Sequence, residues 1–478
     1  MAFDYDLVVI GAGSGGLVSA YVAALLQARV ALVEKHLMGG DCLNTGCVPS
    51  KALISSAKLI ERIRHAKEMG LSEMEPSFNF EDVFARMRER RAQIEPHDSV
   101  ERFEGLGVDV FQGRAKFISP HEVELDDGTR LKARNFVVAT GTKALVLPIP
   151  GLDSVPYYTN ETIFDEMPKA PASMIILGGG PIGCEFAQVM RRLGVKVELV
   201  ELLPRLLPRD DTDASALIES RFAAEGIQVH TGTKATRFEH EDATTIVTVE
   251  NDGGETKLEA EALLVATGRK ANVDNLGLEE AGVEFDRRGV KVDATLTTSQ
   301  PHIFACGDVA GPYQFTHSAD YQARIVVRNI LIPWFKSKAD YTWVPWVTYT
   351  DPEIAHCGLT EDEAKKKSVA YEVFRYDWDD LDRAITDSET AGFIKVLTAA
   401  GKDKILGATV AGVHAGEVMH EVLVAAKHGI GLSKLSGTIH AYPTLSSSVQ
   451  RVADSFQKTR LTSTVAGVFK WLYARRRA

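Results

Sequence analysis

The chain has 478 residues, 45% of them hydrophobic and 25% charged, enough for about three domains of ordinary globular composition. A formal net charge of −11 argues against nucleic acid or an anionic membrane as the main partner, since both reward basic surfaces. Five cysteines do not read as a secreted disulfide framework, the acidic start lacks the basic region of a signal peptide, and no apolar run reaches the ~18 residues of a membrane span, so a cytoplasmic protein is expected.

The apolar run Asp6 to Ile10 reads as a buried parallel strand. Gly11-Ala12-Gly13-Ser14-Gly15-Gly16 follows, then a helical pattern through Leu26, then a second apolar run that ends at Glu34. Gly11, Gly13 and Gly16 form a G-x-G-x-x-G turn, with an acid at the expected ~20 residues. The glycines let the backbone approach a pyrophosphate at the helix N-terminus, and Glu34 would accept from a ribose hydroxyl. Glycine-rich turns alone are common; strand, turn, helix, strand and acid together are specific.

Next comes Gly39-Gly40-Asp41-Cys42-Leu43-Asn44-Thr45-Gly46-Cys47-Val48-Pro49-Ser50-Lys51, ahead of a helix-compatible run to Ile60. If Cys42 and Cys47 share the first turns of that helix, their side chains can meet and close a disulfide. A helix N-terminus favours thiolate, so the spacing suits a pair that cycles between disulfide and dithiol. The competing readings are a metal pair and two unrelated buried thiols. A metal would want further ligands nearby, and the next cysteine is Cys184, so no metal is expected.

Residues 55 to 105 read as two exposed helices, with Arg86 to Arg91 as a solvated face, and a β meander is expected from Val108 to Leu131 around the turn Asp126-Asp127-Gly128. The buried strand ending Ala139-Thr140-Gly141 leads to a linker at Pro148 to Gly151. A second βαβ signature then opens at Met174. Gly178, Gly180 and Gly183 form its turn, Cys184 to Leu193 its helix, and Glu201 its terminal acid. That acid would repel a 2′-phosphate, so NADH is expected over NADPH, with Arg205 as a nearby counter-indication. Ala266-Thr267-Gly268 repeats the earlier pattern. Cys306 and Cys357 read as buried small residues. Strands near 393–397 and 405–413, and a helix from Ala415 to His428, fit an α+β unit.

Two dinucleotide signatures and one cysteine pair make a relay. The combination resembles the flavin-dependent pyridine nucleotide–disulfide oxidoreductases, which include dihydrolipoyl dehydrogenase, glutathione reductase and mercuric reductase. The resemblance covers all but about the last twenty residues. It implies an α/β fold: two nested Rossmann-like dinucleotide-binding domains plus a C-terminal α+β dimerisation domain. The FAD domain would span 1–150 and 273–340, the NAD(P)H domain 151–272, the dimerisation domain 341–457, and a basic amphipathic tail 458–478. It also implies a homodimer holding FAD and using NAD(H). Cys47 would be the flavin-proximal thiol and Cys42 the interchange thiol. Lys51 and Glu185 would pair beside the flavin, Gly141 and Gly268 would close the nucleotide domains, and Asp308 would bond the ribityl chain.

The substrate half departs from the family. Where dihydrolipoyl dehydrogenases carry His-Pro-x-x-x-Glu as acid–base, this chain has His440-Ala441-Tyr442-Pro443-Thr444-Leu445-Ser446-Ser447. Tyr442 stands for the histidine and Ser447 for the glutamate; a tyrosine of pKa about 10 is a poor base near neutral pH. His440 is a candidate replacement, set against a structural hydrogen-bonded histidine. Mercuric reductases also place a tyrosine there, but they carry a C-terminal cysteine pair, and this chain has no cysteine after Cys357. A dithiol or disulfide substrate of dihydrolipoyl type, small or on a lipoyl-carrier protein, is the first reading. Mercuric-ion reduction is the second, and a flavoprotein that has lost thiol turnover and acts as a binding subunit is the third. In the tail, Leu461, Val465, Val468, Phe469 and Leu472 recur at helical spacing among basic residues. Either it packs on its own dimer or it docks on a membrane surface or protein partner.

Overall fold

The computed structural model describes residues 2–477. They divide into two compact units. One comprises the chain up to Ile60, Pro76–Leu202 and Gly232–Tyr341; the other comprises Glu61–Glu75, Leu203–Thr231 and the chain from Thr342 onward.

In the first unit, the β-branched runs Tyr5–Ile10 and Val30–Glu34 pair in parallel at the centre of one sheet. Such runs are apolar on both faces, so they suit a sheet covered on both sides. The strand order is 108–112, 30–34, 5–10, 130–138, 122–125, 115–119, with Ile303–Ala305 also pairing in parallel with the strand Arg130–Val138. The expected meander therefore starts later than read from the sequence. Val108–Gln112 joins the parallel ladder beside Val30–Glu34, because the helix Val100–Gly105 delivers it by a crossover and not by a hairpin. Only the strands from Ala115 to Val138 meander, around the turn at Gly128.

The second βαβ unit repeats this plan. Ser173–Leu177 lies between Lys196–Val200 and Ala262–Val265, all parallel, with the helix Pro181–Arg192 as the crossover. The two Ala-Thr-Gly segments converge. Each leads into a short strand, and Thr142–Ala144 pairs antiparallel with Arg269–Ala271. The arginine run is not simply solvated: Arg86 Nη1 donates to the Ala52 carbonyl at 2.9 Å, and Arg91 pairs with Asp165 at 2.7 Å.

The second unit is built on a five-stranded antiparallel sheet, in the order 345–348, 353–358, 405–412, 393–399, 371–377. The helices Ala415–Lys427 and Ser447–Thr459 bury Val418, Met419, Val422, Val449, Val452 and Phe456 in one core with Trp378. The helix Thr212–Glu225 is tied to this sheet through charge. Its N-cap, Asp211, accepts from the Asp213 amide, and Lys395 Nζ lies 2.9 Å from Asp211 and 3.0 Å from Asp213, with Glu361 also in contact. Lys395 is only 4% exposed, and burial alone would lower its pKa; its carboxylate partners reverse that and raise it. The last helix, Ser463–Arg477, begins after Leu461 and buries no residue. No helix among the described residues is long and apolar enough to cross a membrane.

Burial works against the ionised Asp213 and Glu361, but the Lys395 ammonium prevails and holds both carboxyls below their usual range. Their contribution is therefore present above the unfolded carboxylate range near pH ~4 and lost as pH falls through the depressed folded values. Lys395→Met should cost about 3–5 kcal/mol at pH 7, because it leaves Asp211 buried without its cation. Thermal unfolding followed from pH 7 to pH 3 should also show a shallower acid decline in the variant. Equal stability of the two proteins at pH 7 would refute the role given to this cluster.

Candidate active site

Both glycine-rich turns bring helix and strand backbones together, and the second leaves open space for a phosphate. A Cβ on Gly16 would collide with the Gly11 carbonyl oxygen and one on Gly183 with that of Gly178, so these glycines press helix onto strand, whereas around Gly180 a Cβ would meet nothing within 4 Å. The helices that follow, Ser14–Leu25 and Pro181–Arg192, carry no acid in their first turns, leaving amide donors and a positive helix end for an anion. Glu34 accepts from Ala12 N at 2.7 Å and Glu201 from Gly179 N at 2.6 Å, so each acid is fixed against its own glycine turn. These residues fit an adenine dinucleotide at each turn.

The cysteine motif is fastened to the first of these turns. Gly39 N donates to the Ala12 carbonyl at 2.9 Å, and a Cβ on Gly40 would stand 2.5 Å from Gly13 Cα. Gly40, at φ +57°, thus lies with its backbone directly on the turn. The two cysteines do not share one helix. Cys42 lies in the short helix Gly40–Asn44 and Cys47 opens the long helix Cys47–Arg64, because the chain breaks at Thr45-Gly46. Their side chains nevertheless come within hydrogen-bond reach, and both are thiols in this structure.

The pair is electrostatically split. The Cys42 contact pulls the Cys47 thiol down to about 6, against burial, with help from Thr316 and the Lys51 charge. The same contact, with burial, drives Cys42 well above the usual thiol range. Cys47 Sγ is 3.4 Å from Thr316 Oγ1, and Thr316 opens the helix Thr316–Leu331. Lys51, one turn after Cys47, meets Glu185 on the helix of the second glycine turn at 2.9 and 3.1 Å. Near Cys42, Asp41 is held by Arg269 at 2.7 Å; Arg269 Nε donates to Thr142 Oγ1 at 2.7 Å, and that hydroxyl donates to Asp308 Oδ2 at 2.9 Å. Burial keeps the Asp308 carboxyl above its usual range despite Arg269 and Thr142. Gly141 and Gly268 sit at the entrances to the paired strands that carry Thr142 and Arg269. Sequence reading passed over Thr316, Arg269 and Thr142. Arg269 and Thr142 each follow an Ala-Thr-Gly directly, which was the available signal; nothing local marks Thr316.

His440 and Tyr442 belong to the second unit. His440 Nδ1 donates to the Thr438 carbonyl at 3.0 Å and Nε2 lies 2.8 Å from Glu421, so both ring nitrogens are engaged. Tyr442 is 75% exposed, and the neighbouring Asp382 carboxylate raises its pKa further. Ser447 Oγ is turned back onto the Thr444 carbonyl. Cys184, Cys306 and Cys357 are buried, and burial pushes both Cys306 and Cys357 up to about 12. Among the described residues no group of three or more His, Cys, Asp or Glu could hold a metal ion.

Residues 5–323 match the pyridine nucleotide-disulphide oxidoreductase family and residues 344–453 match its dimerisation domain. The chain belongs to that family. It is 35% identical to the dihydrolipoyl dehydrogenase of Thermus scotoductus over 463 residues, covering 95% of this chain and 98% of that one. It is 33% identical to a mercuric reductase of Bacillus cereus over 457 residues, covering 95% of this chain and 72% of that enzyme. Among solved structures, the HOCl-induced flavoprotein disulfide reductase RclA of Escherichia coli superposes with a TM-score of 0.85 at 28% identity, covering 94% of this chain and 99% of RclA. The protein is therefore a FAD-dependent oxidoreductase that uses NAD(P)H, and its dimerisation domain supports a homodimer.

The Thr316 contact can be isolated by alkylating the reduced holoenzyme with iodoacetamide across pH and reading each cysteine by mass spectrometry. Cys47 should react with an inflection near pH 6, and Thr316→Val should move that inflection upward, since it removes a donor to the thiolate. An unmoved inflection would show that Thr316 does not tune the thiol.

Proposed function

We propose that this enzyme passes an electron pair between NADH and a dithiol or disulfide substrate of dihydrolipoyl type, through Cys42 and Cys47. In this reading NADH, a proton and a disulfide interconvert with NAD⁺ and a dithiol, and the direction follows the substrate's potential. Residues 1–150 and 273–340 hold FAD, whose chemistry when bound is to accept hydride and deliver the electron pair to the disulfide. Residues 151–272 hold the nicotinamide cofactor. The observation that carries the reading is the splitting of the two thiols, Cys47 lowered and Cys42 raised. Cys47 then rests as thiolate beside Lys51, while Cys42, on giving up its proton, attacks a substrate disulfide; the substrate S–S bond breaks, a mixed disulfide forms on Cys42, and the departing substrate sulfur takes up the proton. The Lys51–Glu185 pair joins the cysteine helix to the second dinucleotide unit, and Asp308 is aimed by Thr142.

NADH is preferred because Glu201 is a buried acid fixed at the second glycine turn, where a 2′-phosphate would meet like charge. Arg205, the nearest cation in sequence, is already engaged by Asp362 at 3.2 Å and the Pro208 carbonyl at 3.0 Å. On the substrate side Tyr442 and Ser447 stand where dihydrolipoyl dehydrogenases carry a His–Glu base. Metal-ion reduction is the second reading, favoured by the exposed Tyr442 and by the likeness to mercuric reductase.

One kinetic panel tests both halves. The kcat/KM for NADH should exceed that for NADPH by at least about tenfold, or ~1.4 kcal/mol. Oxidation of free dihydrolipoamide should be slow, and Tyr442→His with Ser447→Glu should accelerate it, since a positioned base is typically worth ~10²–10⁴-fold. Faster NADPH turnover overturns the cofactor assignment. A folded, FAD-loaded double variant with no gain, alongside rapid Hg²⁺ reduction by the parent, would replace the dihydrolipoyl reading with the metal one.

A further inference from the structure

We propose that the helix Ser463–Arg477 is an interfacial anchor that lays this enzyme on anionic lipid. From Lys458 to Arg477 the chain has six basic residues and no acidic one, within a protein of net charge −11. The helix buries nothing in its own protomer, yet it displays Val468, Phe469, Trp471, Leu472 and Tyr473 as exposed residues. Val465, Val468, Phe469 and Leu472 follow the spacing of one helix face, with Trp471 and Tyr473 at its margins. The aromatic surface is organised within the helix: Phe469 stacks on Tyr473, and the Arg475 guanidinium lies 4.9 Å over the Trp471 ring.

The choice between lipid and a protein surface turns on where the arginines fall. Arg476 is one turn beyond Leu472 and continues the same apolar face. Against a protein that face would desolvate the guanidinium, and the partner would have to supply a buried carboxylate to pair with it. At a bilayer surface the aliphatic stem can lie along the acyl boundary while the guanidinium meets lipid phosphate. Tryptophan and tyrosine at the margins suit the headgroup level, where one end of the ring is apolar and the other wet. The overall acidic charge does not oppose this, because screening confines each field to about 8 Å at physiological salt.

The test uses the full-length, FAD-loaded enzyme and sedimentation with vesicles of phosphatidylcholine, with and without phosphatidylglycerol. Binding should require phosphatidylglycerol and fall with added salt. Deleting residues 461–478 should reduce it at least about tenfold, while FAD content, dimer mass and NADH reduction stay unchanged. The triple change Arg475→Gln, Arg476→Gln, Arg477→Gln should do the same in a chain of full length, so a poorly folding deletion does not decide the matter. No binding by the parent, equal binding to both vesicle types, or full binding by the triple variant overturns the proposal. Dissociation of the dimer on deletion overturns it too, and assigns the helix to a second copy of the chain.

Discussion

The chemistry of this protein hangs on the contact between two glycines. Gly40 presses its backbone onto Gly13, so closely that a Cβ on Gly40 would stand 2.5 Å from Gly13 Cα. The cysteine motif is thereby fixed to the first dinucleotide turn. The helix that Cys47 opens then carries Lys51 one turn further along, to the second dinucleotide unit and Glu185. One close approach of backbones thus puts three motifs, distant in sequence, in a single working order. Each of them stands on a rigid element, which is what a two-electron relay needs.

Electrostatics then divides the labour between two chemically identical side chains. Cys47 gains a donor in Thr316 and a cation in Lys51, and it settles on the thiolate side of neutrality. The hydrogen bond between the two sulfurs, which lowers Cys47 most, raises Cys42 together with burial, and Cys42 stays protonated. The carboxylate beside them, Asp41, disfavours both thiolates and is itself held by Arg269. In the second unit neither His440 nor Tyr442 is as prepared to act as a base. His440 has both nitrogens engaged, and Tyr442 is held further from ionisation by Asp382. The electron-input half is thus well equipped, and the substrate half departs from the pattern of the dihydrolipoyl dehydrogenases.

What could be read from the sequence followed from local rules. Glycine spacing, terminal acids and β-branched runs mark the two βαβ units because each is made within about thirty residues. The contacts that the sequence concealed are those made only by the tertiary fold. Thr316 meets a cysteine 269 positions away, and Arg269 reaches back to Asp41. Lys395, in a strand that reads as apolar, is buried among carboxylates from two other segments. Val108–Gln112 reads as the start of the meander but joins the parallel ladder, because nothing in five residues says which neighbour a strand will choose. The two cysteines read as sharing one helix; the break at Thr45-Gly46 that sets them on two was not marked in the sequence.

The central claim is that electrons entering from the nicotinamide reach the cysteines. Anaerobic titration of the disulfide form of the holoenzyme with NADH, trapping thiols with iodoacetamide at each addition, tests it most directly. The account predicts that the first equivalent of NADH frees Cys42 and Cys47 together while a long-wavelength thiolate–flavin absorbance band grows. Bleaching of the flavin with both cysteines still joined, and no such band, would contradict it.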